Sequence, residues 1–159
     1  MKARVYLETT IVSYLASRPS RDLVLAAHQQ VTRDWWELRR NDFALHVSQY
    51  VIDESSLGDD EVAARRLSYL RGIPLLETRP SVIELAESLV REGVVPRRAA
   101  VDALHVAIAA ANAMDVLLTW NCAHLANAER IPYMERFIRG CGFAPPVICT
   151  PEELMGEDR

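Results

Sequence analysis

The segment from Ala99 to Asn127 most narrows what this chain can fold into. Its first part, through Ala111, is rich in alanine and favours helix. Its second part, Val116-Leu117-Leu118-Thr119 behind Asp115, is a short apolar run that suits a buried strand. A helix over 102–111 descends about 15 Å at ~1.5 Å per residue. A strand over 115–119 climbs back about 16 Å at ~3.3 Å per residue. The lengths match, so Asp102 at the head of the helix returns to the edge where Thr119 and Asn121 stand. Open α/β sheets bind ligands at that edge, beyond the carboxyl ends of their strands.

Short strands alternate with helices through the rest of the chain. Residues 4–7 are β-prone, and a helix follows from Ile11 that Thr9 or Thr10 can cap. Residues 22–40 predict a long helix whose buried face carries Leu23, Ala26, Ala27, Val31, Trp35 and Leu38. A second strand over 43–47 leads into a helix start at 48–54, closed by Gly58. Residues 59–71 form a helix with acids at its positive end, stopped by Gly72. A third strand over 73–77 is weakened by Pro74, and a helix runs from Pro80 to about Glu92. After Asn121 come a loop and short helix over 123–139 interrupted by Pro132, a turn at Gly140-Cys141-Gly142, a strand over 147–149 and a capped turn from Thr150. No repeat or linker divides the chain, so residues 1–159 are expected to form a single domain. The alternation predicts an α/β fold, a three-layer α/β/α sandwich around a parallel sheet of four to five strands.

Half of the 159 residues are apolar and a quarter charged, which suits a soluble globular domain. No apolar run is long enough to span a bilayer. Met1-Lys2-Ala3-Arg4 lacks the apolar stretch of a signal peptide, so no membrane association and a cytoplasmic location are expected. Cys122, Cys141 and Cys149 are odd in number and form no Cys-x-x-Cys pair, which predicts buried free thiols. A net charge of −4 argues against a protein that coats duplex DNA. Lys2 is the only lysine; the remaining bases are arginines, suited to bidentate phosphate contact.

Four oxygen-bearing side chains fall at element ends facing the ligand edge. Glu8 follows the first strand, Glu54 lies on the helix after the second, Asp102 opens the central helix and Asn121 follows its strand. Such clustering suits Mg²⁺ or Mn²⁺, and gathering carboxylates without a cation is costly. A bound ion could activate water and stabilise charge on a phosphate under attack. Thr9, Thr10 and Thr119 add hydroxyls that could orient a carboxylate, a water or a phosphate. Asn121 reads equally as a turn residue, and Asp115, at the far edge, as a structural acid.

In Val5-Tyr6-Leu7-Glu8-Thr9-Thr10, Glu54, Asp102-Ala103-Leu104-His105-Val106-Ala107 and Leu117-Leu118-Thr119-Trp120-Asn121, the chain resembles the PIN-domain family and, within it, the VapC-type toxins. The resemblance covers essentially the whole chain, and the order and spacing of the four stretches carry more than any one of them. It implies a metal-dependent ribonuclease fold with strand order 3-2-1-4-5, its acidic quartet falling on Glu8, Glu54, Asp102 and Asn121, with Glu54 preferred to the adjacent Asp53. It further implies the toxin of a type II toxin–antitoxin pair, a protein antitoxin as partner and a homodimer. The family commonly has Asp at the first and fourth positions. Here Glu8 reaches one methylene further, and Asn121 offers only an uncharged carbonyl oxygen.

Other residues admit two readings. His105 shares a helix face with Asp102 and reads as a hydrogen-bonded, partly buried histidine before a ligand. Arg97 and Arg98 are candidates for a phosphate-contacting rim or a solvated helix start. Trp120 could stack on a base or anchor the core. His124 and Asn127 could touch substrate or be solvated loop residues. One of Trp35 and Trp36 is expected to point away from the buried face and mark a partner surface. The function expected is a Mg²⁺- or Mn²⁺-dependent endoribonuclease that hydrolyses RNA phosphodiesters to a 3′-hydroxyl and a 5′-phosphate. The alternative, motivated by Glu8 and Asn121, is a PIN-like RNA- or protein-binding module with weakened catalysis. A phosphatase ranks last, because it needs an aspartate nucleophile where Glu8 stands.

Overall fold

The computed structural model describes residues 1–157. Four strands and seven helices follow in the order β1 (Arg4–Leu7), α1 (Thr9–Ala16), α2 (Leu23–Leu38), β2 (Ala44–His46), α3 (Gln49–Ser55), α4 (Asp60–Leu70), α5 (Pro80–Arg91), α6 (Ala100–Ala111), β3 (Val116–Leu118), α7 (Ile131–Gly140) and β4 (Val147–Cys149). Short 3₁₀ turns cover Arg40–Asp42, Arg97–Ala99 and Pro151–Leu154. The sheet runs β2-β1-β3-β4 and every pairing is parallel. Val5 sits opposite Leu45 on one side and Val116 on the other.

The expected third strand is reduced to one parallel bridge between Val47 and Leu75. Pro74 has no N–H to give; its carbonyl accepts from Val47 N at 3.0 Å, and Leu76 N returns to the Val47 carbonyl at 2.7 Å. Counting this bridge, the strands lie in the expected order 3-2-1-4-5. Right-handed crossovers then set the layers. The steps from β1 to β2 and on to the bridge move one way across the sheet and place α1–α4 on one face. The steps to β3 and β4 move the other way and place α5–α7 on the opposite face. The helix contacts agree: α1 packs on α2, α3 and α4, while α5 packs on α6 and α7.

The centre is dry. Val5, Tyr6, Leu7, Leu117 and Leu118 are fully buried, as strands covered on both faces must be. Seven consecutive-face residues of α6, from Ala103 to Ala110, are buried, and the small alanines let α5 approach closely. Helix starts follow local chemistry: Asp22 accepts from Leu25 N at 2.9 Å, and Asp59 accepts from Glu61 N and Val62 N, each at 3.1 Å.

Several expectations change. α2 buries Gln29, Thr32, Trp35 and Trp36, while Leu23 and Leu38 are exposed. The buried stripe is therefore rotated from the apolar one, because Thr32 and Gln29 are recruited as polar partners inside. Both tryptophans are buried, so neither marks a partner surface. Tyr69 meets the Trp36 ring edge-on at 5.6 Å, and the Arg40 guanidinium covers it at 4.9 Å. Pro132 does not interrupt a helix; it lies in the first turn of α7, where its missing N–H has no intrahelical bond to lose. Of the cysteines only Cys149 is buried; Cys122 and Cys141 are exposed. No helix among the described residues is long and apolar enough to cross a membrane.

Candidate active site

Glu8 leaves β1 and enters α1 in a single step. Its own side chain, not Thr9 or Thr10, caps the helix: Oε2 accepts from Thr10 N at 2.8 Å. Oε1 accepts two hydroxyl protons, from Thr10 at 2.7 Å and from Thr119 at 2.5 Å. Each threonine passes the connection on. Thr10 Oγ1 accepts from Trp120 N at 2.9 Å, and Thr119 Oγ1 accepts from Asn121 N at 2.9 Å. Glu8, 5% exposed, thus ties the end of β1 to the end of β3.

Glu54 stands on α3 after β2. Its Oε1 accepts from Thr9 Oγ1 at 2.8 Å and from His105 Nε2 at 2.6 Å. Burial raises the Glu54 carboxyl pKa, but the His105 hydrogen bond, the His105 charge and the Thr9 hydroxyl outweigh it and hold the group below the usual glutamate range. Asp53 faces outward and accepts from Gln49 at 2.9 Å. Of the two neighbours, Glu54 is the one bonded to Thr9 and His105.

Behind Glu54 runs a buried chain of polar groups. His105, 1% exposed, meets the Tyr6 hydroxyl at Nδ1 (2.6 Å), and that hydroxyl meets Ser48 Oγ at 2.8 Å. With Glu54 ionised, Nε2 must carry the hydrogen of its bond, since a carboxylate has none to give. Burial pushes the Tyr6 phenol far above its ordinary value, so it stays a neutral link. Sequence reasoning expected a hydrogen-bonded histidine, and it is more deeply buried than expected. The bond to Glu54 was missed; the signal available was the position of His105 one helical turn after Asp102, on the same face.

Asp102 lies in the first turn of α6, half-buried, and has no hydrogen-bond or ion-pair partner among the described residues. Asn121 is a loop organiser: Oδ1 accepts from His124 N at 3.0 Å, and its carbonyl accepts from Leu125 N and Ala126 N. Asn127 is also structural, its amide donating to the Cys122 carbonyl at 3.0 Å. His124 Nδ1 is buried without a hydrogen-bond partner among the described residues. Arg97 and Arg98 are exposed just ahead of α6, with no partner for either among the described residues. Trp120 is not an exposed stacking platform. It is buried, stacked on His28 at 4.1 Å and on Tyr14 at 6.0 Å, with its indole N–H donated to Thr32 at 2.7 Å. Asp115, at the far edge, accepts from Arg4 N at 2.7 Å.

The topology thus delivers Glu8, Glu54, Asp102 and Asn121 to one end of the sheet. Among the described residues, however, no three His, Cys, Asp or Glu side chains close around a common point as a metal's ligand set. The free oxygens are those of Asp102 and Glu54 Oε2, because Glu8 and Glu54 Oε1 are taken up by donors. Two carboxylates with free hard oxygens fit Mg²⁺, which keeps several waters and is held by one or two carboxylates plus substrate phosphates.

No family model matches the chain, and no curated protein matches it. Among solved structures it is similar to a chain of VapBC2 from Rickettsia felis, determined bound to a DNA fragment from its promoter. The superposition has a TM-score of 0.59 at 18% identity and covers 92% of this chain and 98% of that one. The likeness shows a PIN-like fold.

Proposed function

We propose that this chain is a metal-dependent endoribonuclease of the VapC toxin type, acting on RNA phosphodiesters. The observation that carries this reading is the pair of carboxylates with free oxygens, Asp102 and Glu54, at the carboxyl edge of a PIN-like sheet. Asp102 and Glu54 Oε2 would hold Mg²⁺ or Mn²⁺. Such an ion supplies Lewis acidity toward a phosphate and makes bound water a better nucleophile. The other roles belong to the protein's own side chains. Thr9 and His105 fix Oε1 of Glu54, and Oε2 has no hydrogen-bond partner among the described residues. Glu8 with Thr10 and Thr119 holds the strand ends together beneath the site. Arg97 and Arg98, exposed and without a partner among the described residues, would meet the backbone of the RNA. The likeness to VapBC2 supports a protein antitoxin as partner.

The test is cleavage of a total RNA pool with and without Mn²⁺, with Asp102→Asn as control. Mn²⁺-dependent cleavage lost in Asp102→Asn is expected; cleavage indifferent to both would end the proposal. The second reading, a binding module with weakened catalysis, is favoured by the complete engagement of Glu8 Oε1. It predicts no calorimetric signal on titration of the protein with Mn²⁺.

A further inference from the structure

A concavity of about 720 Å³ opens at the other end of the sheet, where the strands begin. Lys2 stands two residues before β1, Asn41 and Phe43 just before β2, and Gly72 just before the bridge strand. Its charged lining is Lys2, Arg40 and Arg71, with no carboxylate among the described residues that line it. The chain as a whole carries the opposite balance, 22 acids against 18 bases. Lys2 and Arg71 are exposed and have no hydrogen-bond or ion-pair partner among the described residues. The nearby Asp42 is already engaged by Arg39 at 2.8 Å. Arg40 rests over Trp36, a contact that orients its guanidinium without neutralising it. Half-buried Phe43 and Ile73 supply an apolar wall.

We propose that this cavity binds a nucleotide: its phosphate on Lys2, Arg40 and Arg71, its base or ribose against Phe43 and Ile73. The volume lies within the range of small-ligand sites, and arginine forks suit phosphate oxygens. A hollow lined by one sign of charge also concentrates the opposite ion. The phosphate is that of a free nucleotide or of an RNA strand, and the proposal holds whether or not the opposite end cleaves RNA.

Trp36 in the cavity wall makes fluorescence the readout. The intact protein is titrated in EDTA with adenosine 5′-monophosphate, inorganic phosphate, adenosine and a six-nucleotide RNA. Saturable binding of the monophosphate, competed by inorganic phosphate, weakened by salt and absent with adenosine, is expected. Arg71→Glu should weaken it about tenfold or more at unchanged thermal stability, and Lys2→Glu serves if the first variant unfolds. Tighter binding of the hexanucleotide assigns the site to an RNA strand; tighter binding of the monophosphate assigns it to a free nucleotide. Equal binding of adenosine, no binding of the monophosphate, or an affinity indifferent to folded Arg71→Glu or Lys2→Glu overturns the proposal.

Discussion

At the scale of single residues, the site is organised by hydroxyls that act twice. Thr119 Oγ1 donates to Glu8 and accepts from Asn121 N, and it is fully buried. Thr119→Val keeps the shape but removes both bonds and strands a backbone N–H. The expected loss is about 1–3 kcal/mol, read from the urea midpoint. Glu54 gives a pH-dependent counterpart. Its pKa is depressed in the folded state, so its contribution to stability is complete above the ordinary glutamate value of 4.5 and is lost as pH falls through the folded value. Thermal unfolding of Glu54→Gln should therefore fall less steeply with acid than that of the parent. A parallel slope in both proteins would contradict the assignment. Because Glu54 is partly exposed, the difference is modest.

At the scale of elements, the end of α6 carries strain that can be removed. Ala113 adopts φ 53°, the left-handed conformation that favours glycine. It closes the helix with Met114 N bonded to Ala109 O at 2.9 Å and Ala113 N to Ala110 O at 3.1 Å, the pattern in which glycine usually stands. Ala113→Gly should stabilise the protein by about 1 kcal/mol, seen as a higher melting temperature. Elements like this were legible where local pattern and tertiary packing agree. The α6–β3 pair, the helix starts at Asp22, Ser48 and Asp59, and the punctuation by Gly58 and Gly72 all appear where their residues place them. The strand at Pro74 was legible only as a weak one, and it forms a single bridge. The face of α2 was not legible, since its buried side is chosen by polar partners from distant segments: Ser17 and Ser20 for Gln29, Trp120 for Thr32. For the same reason the arrival of Glu8, Glu54, Asp102 and Asn121 at one edge could be read but their bonding could not. The carboxyl edge follows from element lengths, whereas the His105–Glu54 contact depends on two helices crossing.

At the scale of the whole molecule, the two ends of the sheet differ in chemistry. One gathers carboxylates among hydroxyls; the other gathers uncompensated cations. The layers between them shelter the third thiol. Burial and the Glu153 carboxylate push Cys149 up to about 12, so at pH 8 an aromatic disulfide reagent should modify exposed Cys141 readily and Cys149 only on unfolding. Cys122, raised by partial burial and Glu153, should react between the two. Rapid labelling of three thiols in the native protein would contradict this packing. The triple engagement of Glu8 also bears on descent. A side chain that fastens two strands cannot be discarded when chemistry is no longer needed, whereas Asp102 leaves nothing behind that misses it. Lineages that abandon catalysis should therefore erode at position 102 first and keep position 8 long afterwards.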